Sequence, residues 1–229
     1  MVHSCWGIVV TCGKSEQISA ATDVAFLNLG NNPVLYYTLD AFERCPEIEG
    51  VVVVARKEKL ETVASLVRLF GCTKVKKVVA GTSQRVSTIA KAMKALDDDV
   101  TMVTIHDASR ACIQMDLVLE TVKAAKRYGS GVAAVKVEEA VLEASKGQKA
   151  SKVMDRSKLW KTLTPQTFKR ELLQKAVDEL IKKKLPLDDE ASAVCNMNTE
   201  VHLVQSSSSN MKIEGIDDLT IAGSLLKLQ

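Results

Sequence analysis

The sequence predicts an α/β protein on a mostly parallel, doubly wound sheet with a projecting β-hairpin arm, and three observations carry that expectation. Runs of branched apolar residues, too continuous for strands with one wet face, alternate with stretches whose apolar residues recur at helical spacing. The alternation persists through the first half of the chain, as in a parallel sheet covered on both faces by crossover helices. After Val137 it is interrupted by a charged segment before strand and helix patterns resume.

In chain order, Gly7–Thr11, Gly50–Ala55, Val75–Val79, Thr101–His106 and Gly131–Val137 each read as a buried strand. Between them, Leu60, Val63, Val67 and Phe70, and later Val118, Val122 and Ala125, repeat at helical spacing with Lys and Glu on the opposite faces. Ligands of such sheets bind outside the carboxyl ends of the strands, so Cys12–Thr22, Ala80–Ser87 and Asp107–Ile113 are expected to hold the site. Glu138–Met154 is charged, weakly alternating and turned at the K-G-Q-K containing Gly147. It reads as an arm over 138–156 suited to dimer contacts, the alternative being a mobile surface loop.

The chain then returns through Trp160–Phe168, a helix at about Lys169–Lys183, another near Asp189, a strand at Val201–Val204 and a last helix from Ile216. Asp217 and Asp218 in the first turn of that helix complement its dipole. The serine run Ser206–Ser209 reads as a flexible loop. With no internal repeat and no linker, one domain over 1–229 is expected.

Composition narrows the function. Of 229 residues, 46% are hydrophobic and 26% charged, which excludes a disordered chain. No apolar run reaches the ~18 residues of a membrane span, and the start lacks the plan of a signal peptide, so a cytoplasmic address is expected. The six cysteines contain no C-x-x-C pair and suggest neither a zinc ribbon nor a disulfide framework. A net charge of +3, with two Trp, three Tyr and four Phe, argues against a nucleic-acid partner. No G-x-G-x-x-G follows the first strand, which counts against a nucleotide-dependent dehydrogenase.

The sharpest local signal is H-D-A-S-R at His106–Arg110, directly after an apolar strand. A carboxylate there, Asp107, suits Mg²⁺, and a guanidinium, Arg110, suits a phosphate; the alternative is an Asp–Arg pair closing a turn. Further segments follow in fixed order: L-x-L-G-x-x-P-V-L at Leu27–Leu35, T-L-D-A-F at Thr38–Phe42, and G-x-x-x-R at Gly81–Arg85. After His106–Arg110 come D-R-S-x-L-W-x-x-x-T-P-Q at Asp155–Gln166, D-E-A-S-A at Asp189–Ala193 and N-M-K at Asn210–Lys212.

On these segments, which run almost end to end, the chain resembles the 2-C-methyl-D-erythritol 4-phosphate cytidylyltransferases, a branch of the sugar-phosphate nucleotidyltransferases. The resemblance implies a Rossmann-like nucleotide-binding domain, a homodimer through the arm, and transfer of CMP from CTP to a polyol phosphate with release of pyrophosphate. It further implies that Cys12, Gly13, Gly81, Arg85 and Thr88 lie at the nucleotide, and that Asp107, Ala108, Arg110, Arg156, Thr164, Asp188 and Lys212 lie at the substrate. Among these, Arg156, Thr164 and Lys212 match positions that grip the acceptor phosphate, Arg156 from across the dimer. Mg²⁺ is the implied cofactor, at Asp107.

The first loop departs from the family pattern A-A-G-x-G-x-R-M…P-K-Q. Gln17 stands at the arginine and Val24 at the lysine, the two main transition-state cations, while Asp23 replaces the proline and only Gly13 survives of the glycines. Losing one preorganised donor typically costs about 10²–10³ in rate. Lys14, within the loop, is a candidate substitute, the alternative being a solvated lysine. Cys12 beside the phosphate loop is open to activation by local amides, the alternative being a buried structural cysteine. At the arm the usual D-T-x-K reads Glu139–Leu142, and Asp188 replaces a threonine beside the substrate. Two readings follow: a cytidylyltransferase, acting on methylerythritol phosphate or on another polyol phosphate such as ribitol 5-phosphate, or an impaired homologue with a binding or regulatory role.

Overall fold

A computed structural model describes residues 4–13, 16–19, 22–145 and 148–228. The chain opens with β1 (Ser4–Val10), then places two short hairpins, β2 (Gln17–Ser19) with β3 (Thr22–Asp23) and β4 (Asn28–Leu29) with β5 (Asn32–Pro33), before α1 (Val34–Arg44). Strand and helix alternate through β6 (Gly50–Ala55), α2 (Leu60–Leu69), β7 (Val75–Ala80), α3 (Arg85–Lys94), β8 (Val100–Asp107), α4 (Met115–Tyr128) and β9 (Ser130–Lys136). The arm is β10 (Leu142–Ser145) and β11 (Lys149–Val153). After it come β12 (Trp160–Lys169), α5 (Arg170–Lys183), α6 (Glu190–Cys195), β13 (Leu203–Gln205) and α7 (Ile216–Leu225).

Seven strands form one sheet in the order β13-β9-β12-β8-β1-β6-β7. Only β12 runs against its neighbours β8 and β9; β1 is parallel to β6 and β8, β6 to β7, and β13 to β9. The side-chain period of two explains why the central strands are apolar throughout. Ile8, Val10, Val52 and Val54 enter a core built with α3 and α5, around Ile89, Met93, Leu173 and Val177. The intervening Val9, Val51 and Val53 face the other way, onto Leu35, Leu39 and Phe42 of α1 and Val118 and Val122 of α4. Two helical layers therefore sandwich the sheet, as the sequence pattern predicts.

Several expectations need correction in detail. The Val75–Val79 strand is not buried: among the described residues β7 is the edge of the sheet, with mostly half-buried side chains and Lys76 exposed. Trp160–Phe168 is a full strand despite Pro165, whose peptide bond with Thr164 is cis. The register of β12 on β9 shifts between Thr162 and Gln166, so the ladder steps around the proline, which has no N–H to give. Ser206–Ser209 is a tied turn: Ser206 N–H donates to Ala134 O and Ser209 N–H to Ser207 Oγ, with Ser206 buried. The expected α4 ends at Gly129, whose φ of 88° is the left-handed geometry that a glycine supplies at a helix C-terminus.

The arm is an antiparallel hairpin, Leu142 opposite Val153 and Ser145 opposite Lys149, with Leu142 and Val153 exposed. Its expected turn at Gly147 lies outside the described residues. No helix among the described residues is long and apolar enough to cross a membrane.

Candidate active site

The carboxyl ends of β1, β7 and β8 meet the segment before α7, and there the charged side chains converge. β8 ends in Asp107, whose N–H donates to Thr164 Oγ1 at 3.0 Å, and the next amide, Ala108 N–H, donates to Val10 O at the end of β1. The turn that follows, closed by Arg110 N–H on Asp107 O, directs Arg110 back toward its own carboxylate. Arg85, at the start of α3, donates from Nη1 to Asp107 Oδ1 at 2.9 Å and from Nε and Nη2 to both oxygens of Glu190 at 2.9 and 3.0 Å. Lys212 Nζ lies 3.5 Å from Asp107 Oδ2. Arg85, Asp107, Arg110, Thr164, Asp188 and Lys212 thus share one cavity of about 360 Å³.

Sequence reasoning missed three residues of this cluster. Glu190, within the D-E-A-S-A segment, is fully buried and holds Arg85 in a two-oxygen fork. The second is Ser109, in the turn after β8. The third, Glu16, has no solvent exposure, and its Oε1 lies 2.7 Å from Lys212 Nζ. Ser109 Oγ donates to Glu16 Oε1 at 3.0 Å and Ser109 N–H to Oε2 at 3.1 Å. Glu16 fills a variable position of the loop pattern, so no motif marks it.

Charge and burial set the protonation states. Burial alone would raise Asp107, but Arg85, then Lys212 and Arg110, hold its carboxyl well below the usual range. Burial and the Asp107 charge push Glu16 up to about 7 against the pull of Lys212 and Ser109. His106, fully buried with Nδ1 3.1 Å from Thr164 Oγ1, is pushed down to about 4 by desolvation and stays neutral. Arg110 Nε is buried without a hydrogen-bond partner among the described residues, its ion-pair oxygen on Asp107 being 3.8 Å away, while Nη1 donates to Asn210 O at 2.9 Å. An unpartnered buried guanidinium N–H is costly unless an acceptor arrives.

The resemblance implies Mg²⁺ at Asp107. Its carboxylate already faces three cations, and among the described residues no group of three His, Cys, Asp or Glu side chains could hold a metal ion. Mg²⁺ needs several oxygen ligands, and Asp107 alone, with its charge already neutralised, does not make a resident site.

Two residues of the first loop region are tied down by Asp23. Gln17 Nε2 donates to Asp23 Oδ1 at 3.2 Å, and Arg56 Nε to Asp23 Oδ2 at 2.8 Å, fastening the β2–β3 hairpin to the end of β6. Val24, at the family's lysine position, is fully buried against Leu29, Val34 and Ile213. Lys14 and Ser15 lie outside the described residues. Gly13, Gln17, Arg56, Gly81 and Ser83 do line a second cavity of about 310 Å³, beside the first residues of α3.

Beneath that loop, Thr88 spends its hydroxyl internally, accepting from Thr82 N–H at 2.9 Å and donating to Thr82 O. Cys12 is buried, and burial pushes its thiol up to about 11, so the activated-thiol reading fails. Its sulfur lies where a Cβ on Gly81 would stand, at 2.3 Å. Arg156 is not in the cavity within this chain: it sits exposed at the base of the arm and donates from Nη1 to Glu138 O. Asp188 is exposed at the cavity's mouth.

A family model described as 2-C-methyl-D-erythritol 4-phosphate cytidylyltransferase matches residues 5–228. Curated relatives with that name include one from Clostridium novyi, 29% identical, covering 96% of this chain and 95% of the relative. One from Clostridium botulinum is 27% identical and covers 96% of each chain. Among solved structures, the 4-diphosphocytidyl-2C-methyl-D-erythritol synthase of Anaerococcus prevotii shares the fold, with a TM-score of 0.87 at 21% identity, over 99% of this chain and 97% of that one.

Proposed function

Because the chain belongs to the 2-C-methyl-D-erythritol 4-phosphate cytidylyltransferase family, we propose that it transfers CMP from CTP to 2-C-methyl-D-erythritol 4-phosphate, a step of isoprenoid precursor synthesis, releasing pyrophosphate. A phosphate oxygen of the acceptor attacks the α-phosphorus, a new P–O bond forms, and the bond to the β-phosphate oxygen breaks with its electron pair leaving on pyrophosphate. Two anions must meet in line, so the protein's part is positioning and charge neutralisation. Nothing in the family match or the relatives' names favours a ribitol phosphate acceptor or a purely regulatory homologue.

The observation that carries the reading is Arg110: its buried, unpartnered Nε is a donor waiting for an acceptor oxygen, in a cavity it shares with Thr164 and Lys212, two of the three positions matched to the family's phosphate grip. Asp107 orients Arg85, Arg110 and Lys212 toward one another, and Thr164 fixes Asp107 through its amide. Gly13, Gly81 and the amides opening α3 are suited to the nucleotide. A divalent cation, Mg²⁺, enters as the counter-ion of CTP and belongs to the substrate. The arm's exposed Leu142 and Val153 support a homodimer in which Arg156 reaches a partner's site.

With Val24 in the core and Gln17 bound to Asp23, two family cations are missing, and turnover is expected well below an ordinary rate. The test is pyrophosphate release from Mg·CTP with methylerythritol phosphate and with ribitol phosphate in parallel. Release with the first alone supports the proposal. Release only with ribitol phosphate replaces the acceptor.

A further inference from the structure

The cluster around Asp107 has as many carboxylates as cations. Arg85 is met by Glu190 and Asp107, and Lys212 by Glu16 and Asp107. Glu16 differs from the other two carboxylates in its origin. Asp107 ends a central strand and Glu190 starts a helix, whereas Glu16 follows β1 and precedes the short β2. Its two oxygens take an ammonium, a hydroxyl and a backbone amide, the donor set with which a protein holds a phosphate.

Resting on the reading above, we infer that Glu16 is an internal stand-in for the acceptor's phosphate: it occupies the anion-binding donors of Lys212 and Ser109, and the acceptor binds only by displacing it. Glu16 thereby sets the affinity and selectivity of the acceptor site. A second anion cannot share Lys212 with two carboxylates without repulsion, so the Glu16 carboxylate has to leave Lys212 and Ser109 as the acceptor enters. A neutral polyol lacking the phosphate gains nothing from that displacement and is excluded. The arrangement therefore selects for ligands whose charge and donor-matching oxygens outbid a tethered carboxylate.

Equilibrium binding tests this without turnover. Inorganic phosphate and methylerythritol phosphate are titrated calorimetrically into wild-type chain, Glu16→Gln and the double variant Glu16→Gln/Lys212→Gln. Removing the carboxylate that competes for Lys212 and Ser109 is expected to tighten both by on the order of 10- to 100-fold in Glu16→Gln. The gain should vanish in the double variant, since it runs through Lys212. Thermal melts check that each variant is folded, and Glu16→Ala serves if Glu16→Gln is not.

On the wild-type chain, hydrogen exchange gives an independent readout. Saturating methylerythritol phosphate should speed exchange at the amides of Glu16–Ser19 as Glu16 gives up its partners. Unchanged affinity in the folded Glu16 variants, or acceptor binding with slowed exchange at those amides, overturns the inference. Tighter phosphate binding without pyrophosphate release from any variant upholds it and instead removes the transferase reading.

Discussion

Arg85 and Glu190 form a two-pronged ion pair, Nε to Oε1 at 2.9 Å and Nη2 to Oε2 at 3.0 Å, that ties the start of α3 to the start of α6. Glu190 is fully buried and Arg85 largely so, and Asp107 takes the remaining prong. Arg85→Ala therefore leaves two buried carboxylates without their main partner and should destabilise the chain by about 3–5 kcal/mol in urea denaturation. Arg85→Lys, which keeps the charge and loses the fork, should lie between the two.

Glu16 gives stability a pH dependence of defined sign. Its carboxyl is pushed up to about 7 in the folded chain, above the ordinary value of 4.5. Between those values the folded state holds more protons than the unfolded, so Glu16 costs stability increasingly as pH rises from about 4.5 to about 7. Glu16→Gln lacks this loss. The melting temperature of the variant minus that of the wild type should grow across the same window and level off above it.

Restoring the two family cations by Gln17→Arg and Val24→Lys is expected to fail at the second position. Val24 has no solvent exposure and packs with Leu29, Val34 and Ile213. A lysine there is buried without a partner, which should cost about 3 kcal/mol or more in chemical denaturation, with no gain in pyrophosphate release. Gln17→Arg alone should be tolerated, because its side chain is half-buried beside Asp23.

The Gly81 loop is set by Cys12. A methyl on Gly81 would meet Cys12 Sγ at 2.3 Å, so Gly81→Ala should destabilise by about 1–3 kcal/mol. Cys12→Ala removes the sulfur, and the double variant should recover about 1 kcal/mol relative to the sum of the single changes. With its thiol up at about 11, Cys12 should also react slowly with a thiol reagent at pH 8, whereas the exposed Cys195 reacts first.

The sheet was readable because its strands are buried on both faces and spell this out as unbroken valine and isoleucine; Val51–Val54 feed two separate cores by simple alternation. The edge status of β7 had one signal, Lys76 and Lys77 within V-K-K-V-V-A where β6 reads G-V-V-V-V-A, and the valines on either side outweighed it. Motif residues at strand ends, Asp107, Arg85, Arg110, Thr164 and Lys212, do meet in one cavity. The partners that hold them were invisible. Glu16 and Glu190 lie far along the chain from the cations they bind, and their burial follows from tertiary packing and not from local pattern. The same holds for Val24: a substituted site residue and a core residue look alike until the hairpin folds over it.

The most direct measurement is detection of the cytidine diphosphate ester by mass spectrometry, after incubating the chain with Mg·CTP and 2-C-methyl-D-erythritol 4-phosphate at protein concentrations near those of substrate. Formation of that ester with one pyrophosphate per product, absent without the acceptor and lost in Arg110→Ala, is the expected result. A folded chain that forms neither ester nor pyrophosphate over hours would contradict its assignment as a cytidylyltransferase.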